Sequence, residues 1–189
     1  HSHHEWRNVE CAMSSTRRVV KIAERYNKKI HVLHVTTKEE VDFLAMHKKN
    51  VTFETTPQHL TLYAPDCYDK LGTYAQMNPP LRGKEHYDRL WMAIKNNIVD
   101  VLGSDHAPHL KANKDKDYPN SPSGMPGVQT IFPVMIDHVN NKKLTLNQLI
   151  SLMCENPCRI FGIKNKGFIK EGYDADLTIV DMNKEVTIK

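Results

Sequence analysis

Short apolar, β-branched runs alternate with segments of helical period along this chain, and that alternation restricts its fold more than any other feature. I-H-V-L-H-V (30–35), V-T-F-E-T-T (51–56, closed by Pro57) and the apolar run through Val99, Val101 and Leu102 read as strands. Residues 8–27 read as an amphipathic helix. Val9, Ala12, Met13, Thr16, Val19, Val20 and Ala23 recur at helical spacing, with Arg17, Arg18, Lys21 and Glu24 opposite. T-T-K-E-E opens a second helix, with Thr36 or Thr37 as cap and Glu39 and Glu40 in the first turn. Further helices are expected at 84–97, near 128–140, at 145–154 and at 157–161. Residues 61–82 and 110–127 read as irregular, and the tail D-A-D-L-T-I-V-D (174–181) as a strand of period two. Strand, helix, strand, helix, strand is the pattern of a parallel α/β sheet.

Composition narrows the function classes. Apolar residues make up 40% and charged residues 25% of the 189, and the formal net charge is +4. The lysines are scattered without an aromatic–basic stripe, so nucleic-acid binding is not expected. No apolar run is long enough for a membrane span and no signal peptide opens the chain. Cys11, Cys67, Cys154 and Cys158 are too few and scattered for a disulfide framework, which points to a reducing, cytoplasmic compartment. The opening H-S-H-H-E-W-R, with no initiator Met, suggests a fragment of a larger protein.

In parallel sheets chemistry gathers at the carboxyl ends of strands. His34 lies at the end of the first strand, His59 just past the second, and Asp105 at the end of the third, in G-S-D-H-A-P-H. Each has a bland reading: His34 as a core histidine, Asp105 as a turn or helix cap, His59 as a loop residue, Asn78 as a turn former before two prolines. Three such residues at three strand ends favour a site instead. Imidazole and carboxylate suit zinc or a similar divalent ion. A carboxylate beside an activated water can take its proton and return it to a leaving amine.

L-H-V-T-T, T-P-Q-H-L, Q-M-N-P-P-L-R, G-S-D-H-A-P-H, P-S-G-M-P-G-V-Q-T and K-G-F-I-K-E-G-Y-D-A-D-L-T-I-V-D occur in that order. Together they resemble the carboxyl-terminal half of dihydroorotases of the amidohydrolase superfamily. The resemblance implies part of a (β/α)8 TIM barrel, about strands 6 to 8 over residues 1–162, and the start of a small β-domain over 163–189. It implies a cyclic amide hydrolase interconverting N-carbamoyl-L-aspartate and (S)-dihydroorotate in pyrimidine synthesis, with two divalent ions, zinc by preference. His34 resembles a metal ligand. Asp105 resembles the carboxylate that binds metal and acts as general base and acid. Asn78, His109, Ser123 and Gly124 resemble substrate-binding groups, and His59 has no assigned ligand role. The family's H-x-H pair, bridging Lys or Asp and fifth-strand His have no counterpart here, so the fragment alone should bind metal weakly and be inactive. Allantoinase and dihydropyrimidinase are rival readings, as is a non-catalytic dihydroorotase-like subunit. The expected partner is a small-molecule substrate, with a homo-oligomer possible.

Overall fold

The expected strands pair in parallel in the order β1-β2-β3 in a computed structural model that describes residues 3–185 and 187. β1 (Ile30–Val32) meets β2 (Val51–Thr55) with His31 opposite Thr52 and Val32 opposite Phe53. β2 meets β3 (Val101–Leu102) with Glu54 opposite Val101. The strand bounds are shorter than the apolar runs, but the ladder continues past them. The Val35 amide donates to the Glu54 carbonyl (2.8 Å) and the Gly103 amide to that of Thr55 (3.0 Å). Among the described residues the sheet has these three strands and does not close into a barrel.

The helices flank this sheet. α1 (His3–Trp6) and α2 (Val9–Arg25) precede β1, and α3 (Lys38–Ala45) joins β1 to β2. Between β2 and β3 come α4 (Pro57–Thr61), α5 (Asp66–Leu71), a 3₁₀ turn (Gly72–Ala75) and α6 (Lys84–Lys95). After β3 follow α7 (Lys111–Lys114), α8 (Ile131–Asn140), α9 (Leu146–Ile150), a π turn (Ser151–Glu155) and α10 (Asn156–Phe161). Period two along β2 buries Val51, Phe53 and Thr55 and leaves Thr52 and Glu54 half-buried on the other face. Val51 and Phe53 share one core with Val41 and Leu44 of α3 and Leu90 and Ile94 of α6. A second cluster, Ala64, Cys67, Tyr68, Ala75, Met77 and Leu81, underlies the N-P-P-L-R segment.

Several expectations are corrected. Residues 61–82 are not wholly irregular, because α5 buries Cys67 and Tyr68 behind two first-turn aspartates. One helical turn, α7, interrupts the 110–127 loop. The 174–181 tail forms no strand. Its alternation finds no ladder partner among the described residues, and Leu177 and Ile179 stay exposed. His1 and Ser2, part of the opening histidine motif, lie outside the described residues.

Candidate active site

Two strand ends carry an unusual backbone. His34 (φ 39°) and Asp105 (φ 43°) both occupy the left-handed region, which non-glycine residues seldom enter. Of the four other non-glycine residues with positive φ, Asn27, Asn97 and Lys142 each lie one residue past a helix cap, where that conformation is ordinary, and Asn165 lies in a turn. His34 and Asp105 have no such excuse. Strain of this kind persists where the surroundings hold it, and it collects at functional sites. Since β1 and β3 run parallel on either side of β2, the two residues emerge at the same edge of the sheet.

A buried polar network fixes the chain beyond His34. Glu40 accepts from the Thr37 amide (3.2 Å), the Thr37 hydroxyl (2.9 Å) and the Thr16 hydroxyl (2.8 Å). Thr37 accepts in turn from the Glu40 amide, closing the capping box that T-T-K-E-E foretold. Arg82 of N-P-P-L-R, also buried, donates from Nε to the Thr36 hydroxyl (2.8 Å) and from a terminal nitrogen to the Arg7 carbonyl (2.9 Å).

His59 is no loop residue. It sits in α4, fully buried, with Nδ1 2.7 Å from the Thr56 hydroxyl and Nε2 donating to the Pro79 carbonyl (3.0 Å). Burial, opposed by the backbone of Pro79 and Pro80 and reinforced by the nearby His34, pushes its pKa down to about 3. The imidazole is therefore neutral, with its proton on Nε2, and acts as a strut under the Asn78-Pro79-Pro80 segment. His3 Nε2 lies 2.9 Å from the carbonyl oxygen of Met77, the residue before that segment.

The loop after β3 is zipped to residues 123–127. The Ala107 amide donates to the Met125 carbonyl (3.0 Å), and the Gly127 amide to His106 Nδ1 (3.0 Å). His109 Nε2 lies 3.1 Å from the Ser123 carbonyl, which can only accept, so Nε2 carries the proton and Nδ1 is the nitrogen left for a ligand. His109, Ser123 and Gly124 are thereby brought together: a Cβ on Gly124 would stand 2.9 Å from His109 Nε2. Asn78 is exposed on the neighbouring segment. Sequence reasoning missed Gln76 and Lys114, both buried beneath these loops. Gln76 stands in the quoted Q-M-N-P-P-L-R motif. Lys114 stands in a run of Lys, Asn and Asp that reads as solvated.

His34 and Asp105 are donors of the right kind for a divalent ion. Among the described residues, however, no three His, Cys, Asp or Glu side chains gather closely enough to hold one. His34 and Asp105 are therefore not joined by a third such donor among the described residues.

A model of the amidohydrolase family matches residues 5–189. The chain belongs to the amidohydrolase family. Among curated amidohydrolase relatives, a dihydroorotase of Methanosphaera stadtmanae is 38% identical over 181 residues, covering 94% of this chain and 41% of the relative. A dihydroorotase of Pyrococcus furiosus is 40% identical over 173 residues, covering 91% and 40%. Among solved structures, the L-hydantoinase (dihydropyrimidinase) of Arthrobacter aurescens matches 86% of this chain and 38% of its own, with TM-score 0.82 and 31% identity. The dihydropyrimidinase of Brevibacillus agri matches the same shares with TM-score 0.76 and 28% identity. The chain spans about two fifths of the length of the curated relatives it matches.

Proposed function

We propose that these residues form the carboxyl-terminal part of a dihydroorotase-type cyclic amide hydrolase, built as a (β/α)8 barrel to which β1, β2 and β3 contribute three consecutive strands. The observation that carries the reading is the pair His34 and Asp105, on left-handed backbone at one edge of a parallel sheet. The family match and the identity to dihydroorotases support it.

Asp105 is the proton carrier. Its carboxylate takes a proton from the water that adds to the carbonyl carbon of the ring amide. As the carbon–nitrogen bond breaks, the same proton passes to the departing nitrogen, leaving a ureido group and a carboxyl group that releases the water's second proton to solvent. Ring closure runs these steps backwards. His34 and Asp105 would hold a divalent ion, zinc by donor type, together with further donors, and such an ion polarises the carbonyl and acidifies water. Asn78, His109, Ser123 and Gly124 bind the ring and its carboxylate, with His109 presenting Nδ1. Two donors do not hold an ion by themselves, so the 189 residues alone should not turn over substrate.

The likeness to hydantoinase and dihydropyrimidinase structures favours a second reading, a hydrolase of neutral cyclic amides. Turnover of dihydroorotate, hydantoin, dihydrouracil and allantoin by the whole protein carrying these residues separates the two. Preference for dihydroorotate supports the proposal. Preference for any of the others overturns it in favour of that ring.

A further inference from the structure

We infer that Lys114 is a positioning residue, whose buried ammonium ties the segment bearing Asn78 to the segment bearing Ser123 and Gly124 and so sets substrate affinity. The inference rests on the reading of those three residues as substrate-binding groups.

Lys114 ends α7 and is only 6% exposed. Its Nζ donates to the carbonyls of Gln76 (3.0 Å) and Pro122 (2.9 Å). Among the described residues no carboxylate forms an ion pair with it, and burial pulls its pKa below the ordinary lysine value. A buried ammonium without a counter-charge is costly unless its protons are used. Here two are spent on backbone carbonyls from two different loops. The carbonyl of Gln76 also accepts from the Gly124 amide (2.9 Å). The Gln76 side chain donates back to the Ser121 carbonyl (2.8 Å) and the Ser123 hydroxyl (3.1 Å). The backbone of Lys114 is itself held, its carbonyl accepting from the hydroxyls of Thr73 (2.7 Å) and Ser121 (3.3 Å).

Every bond in this set joins the 73–76 stretch, α7 or the 121–124 stretch to another of the three. Gln76 is two residues from Asn78, and His109 leans on the Ser123 carbonyl. One ammonium at the centre therefore fixes the spacing of all four groups read as substrate ligands. It lies beneath them and touches neither the strand ends nor Asp105 by any bond described. Such a residue changes how well substrate is gripped in ground and transition states alike, which alters KM and leaves kcat.

Two measurements decide the matter. Hydrogen exchange of the Gly124 amide reads the clamp without reference to activity. In the unaltered chain that amide should be protected, and Lys114→Met should speed its exchange roughly tenfold, the equivalent of losing one hydrogen bond to a charged group. A Gly124 amide that exchanges like a free one in the unaltered chain overturns the clamp even if the variant fails to fold. So does equal exchange in a folded variant. In the whole protein, Lys114→Met should raise KM for dihydroorotate by roughly tenfold with kcat little changed, and Lys114→Arg should recover much of the loss. A fall in kcat at constant KM contradicts the positioning role. If the whole protein turns over no cyclic amide, the functional reading fails, and the Gly124 amide alone then decides the clamp.

Discussion

A Cβ on Gly127 would stand 2.2 Å from the Ser104 carbonyl oxygen, a backbone atom that cannot step aside. Gly127→Ala should therefore push the 104–109 loop off residues 123–127 and cost about 1–3 kcal/mol, the usual penalty of overpacking. Denaturant unfolding measures it, and an unchanged midpoint would show the two loops to be less closely docked than described. The same residues show what single positions reveal in a sequence. The place of His34 and Asp105 near the carboxyl ends of parallel strands was legible, because a polar side chain at the end of an apolar run or just past it needs a reason. The left-handed backbone beneath them was not, since nothing in L-H-V or S-D-H requires it. Lys114 was illegible for a different cause: its neighbours Asn113, Asp115 and Lys116 are what a solvated loop contains, and only the fold turns that one side chain inward.

Among elements, α3 depends on its cap. Thr37 accepts from the Glu40 amide at 3.0 Å while Glu40 reaches back to the Thr37 amide, both buried. Thr37→Ala should cost about 0.5–2 kcal/mol, toward the upper end because Glu40 loses a hydroxyl partner as well. Thermal unfolding checks this, and a loss of a few tenths would mean that water replaces the cap. Helix starts of this kind are readable because their signal is local. T-T-K-E-E contains both halves of the box. The tail failed for the converse reason: period-two alternation in D-A-D-L-T-I-V-D is a local pattern, whereas a strand exists only by pairing with another. α5 was missed because six residues are too few to display a helical period.

Over the whole molecule the parallel sheet was legible from the alternation of runs. The titration behaviour was not, because it depends on which imidazoles the fold encloses. His3, His59, His86 and His138 are all buried, and burial holds each below the ordinary imidazole value, His59 at about 3. His86 shows why the neutral form is needed, since its Nδ1 accepts the Lys38 amide (3.0 Å) at the start of α3. Below pH 6.5 the unfolded chain binds protons that the folded chain refuses. The stability these groups contribute is thus present above about pH 6.5 and lost as pH falls, for His59 at about 1.4 kcal/mol per pH unit down to about 3. Melting temperature should drop between about pH 7.5 and pH 5, and a flat profile would contradict this assignment of neutral imidazoles.

The central claim, that Asp105 at the strand edge carries the proton of a cyclic amide hydrolysis, is tested most directly by steady-state kinetics of Asp105→Asn in the whole protein. Asn cannot take a proton from water or return one to nitrogen. The variant should keep its melting temperature and lose about 10²–10⁴-fold in kcat on dihydroorotate. A variant that keeps nearly full kcat would contradict the account and return Asp105 to the part of a strained turn residue.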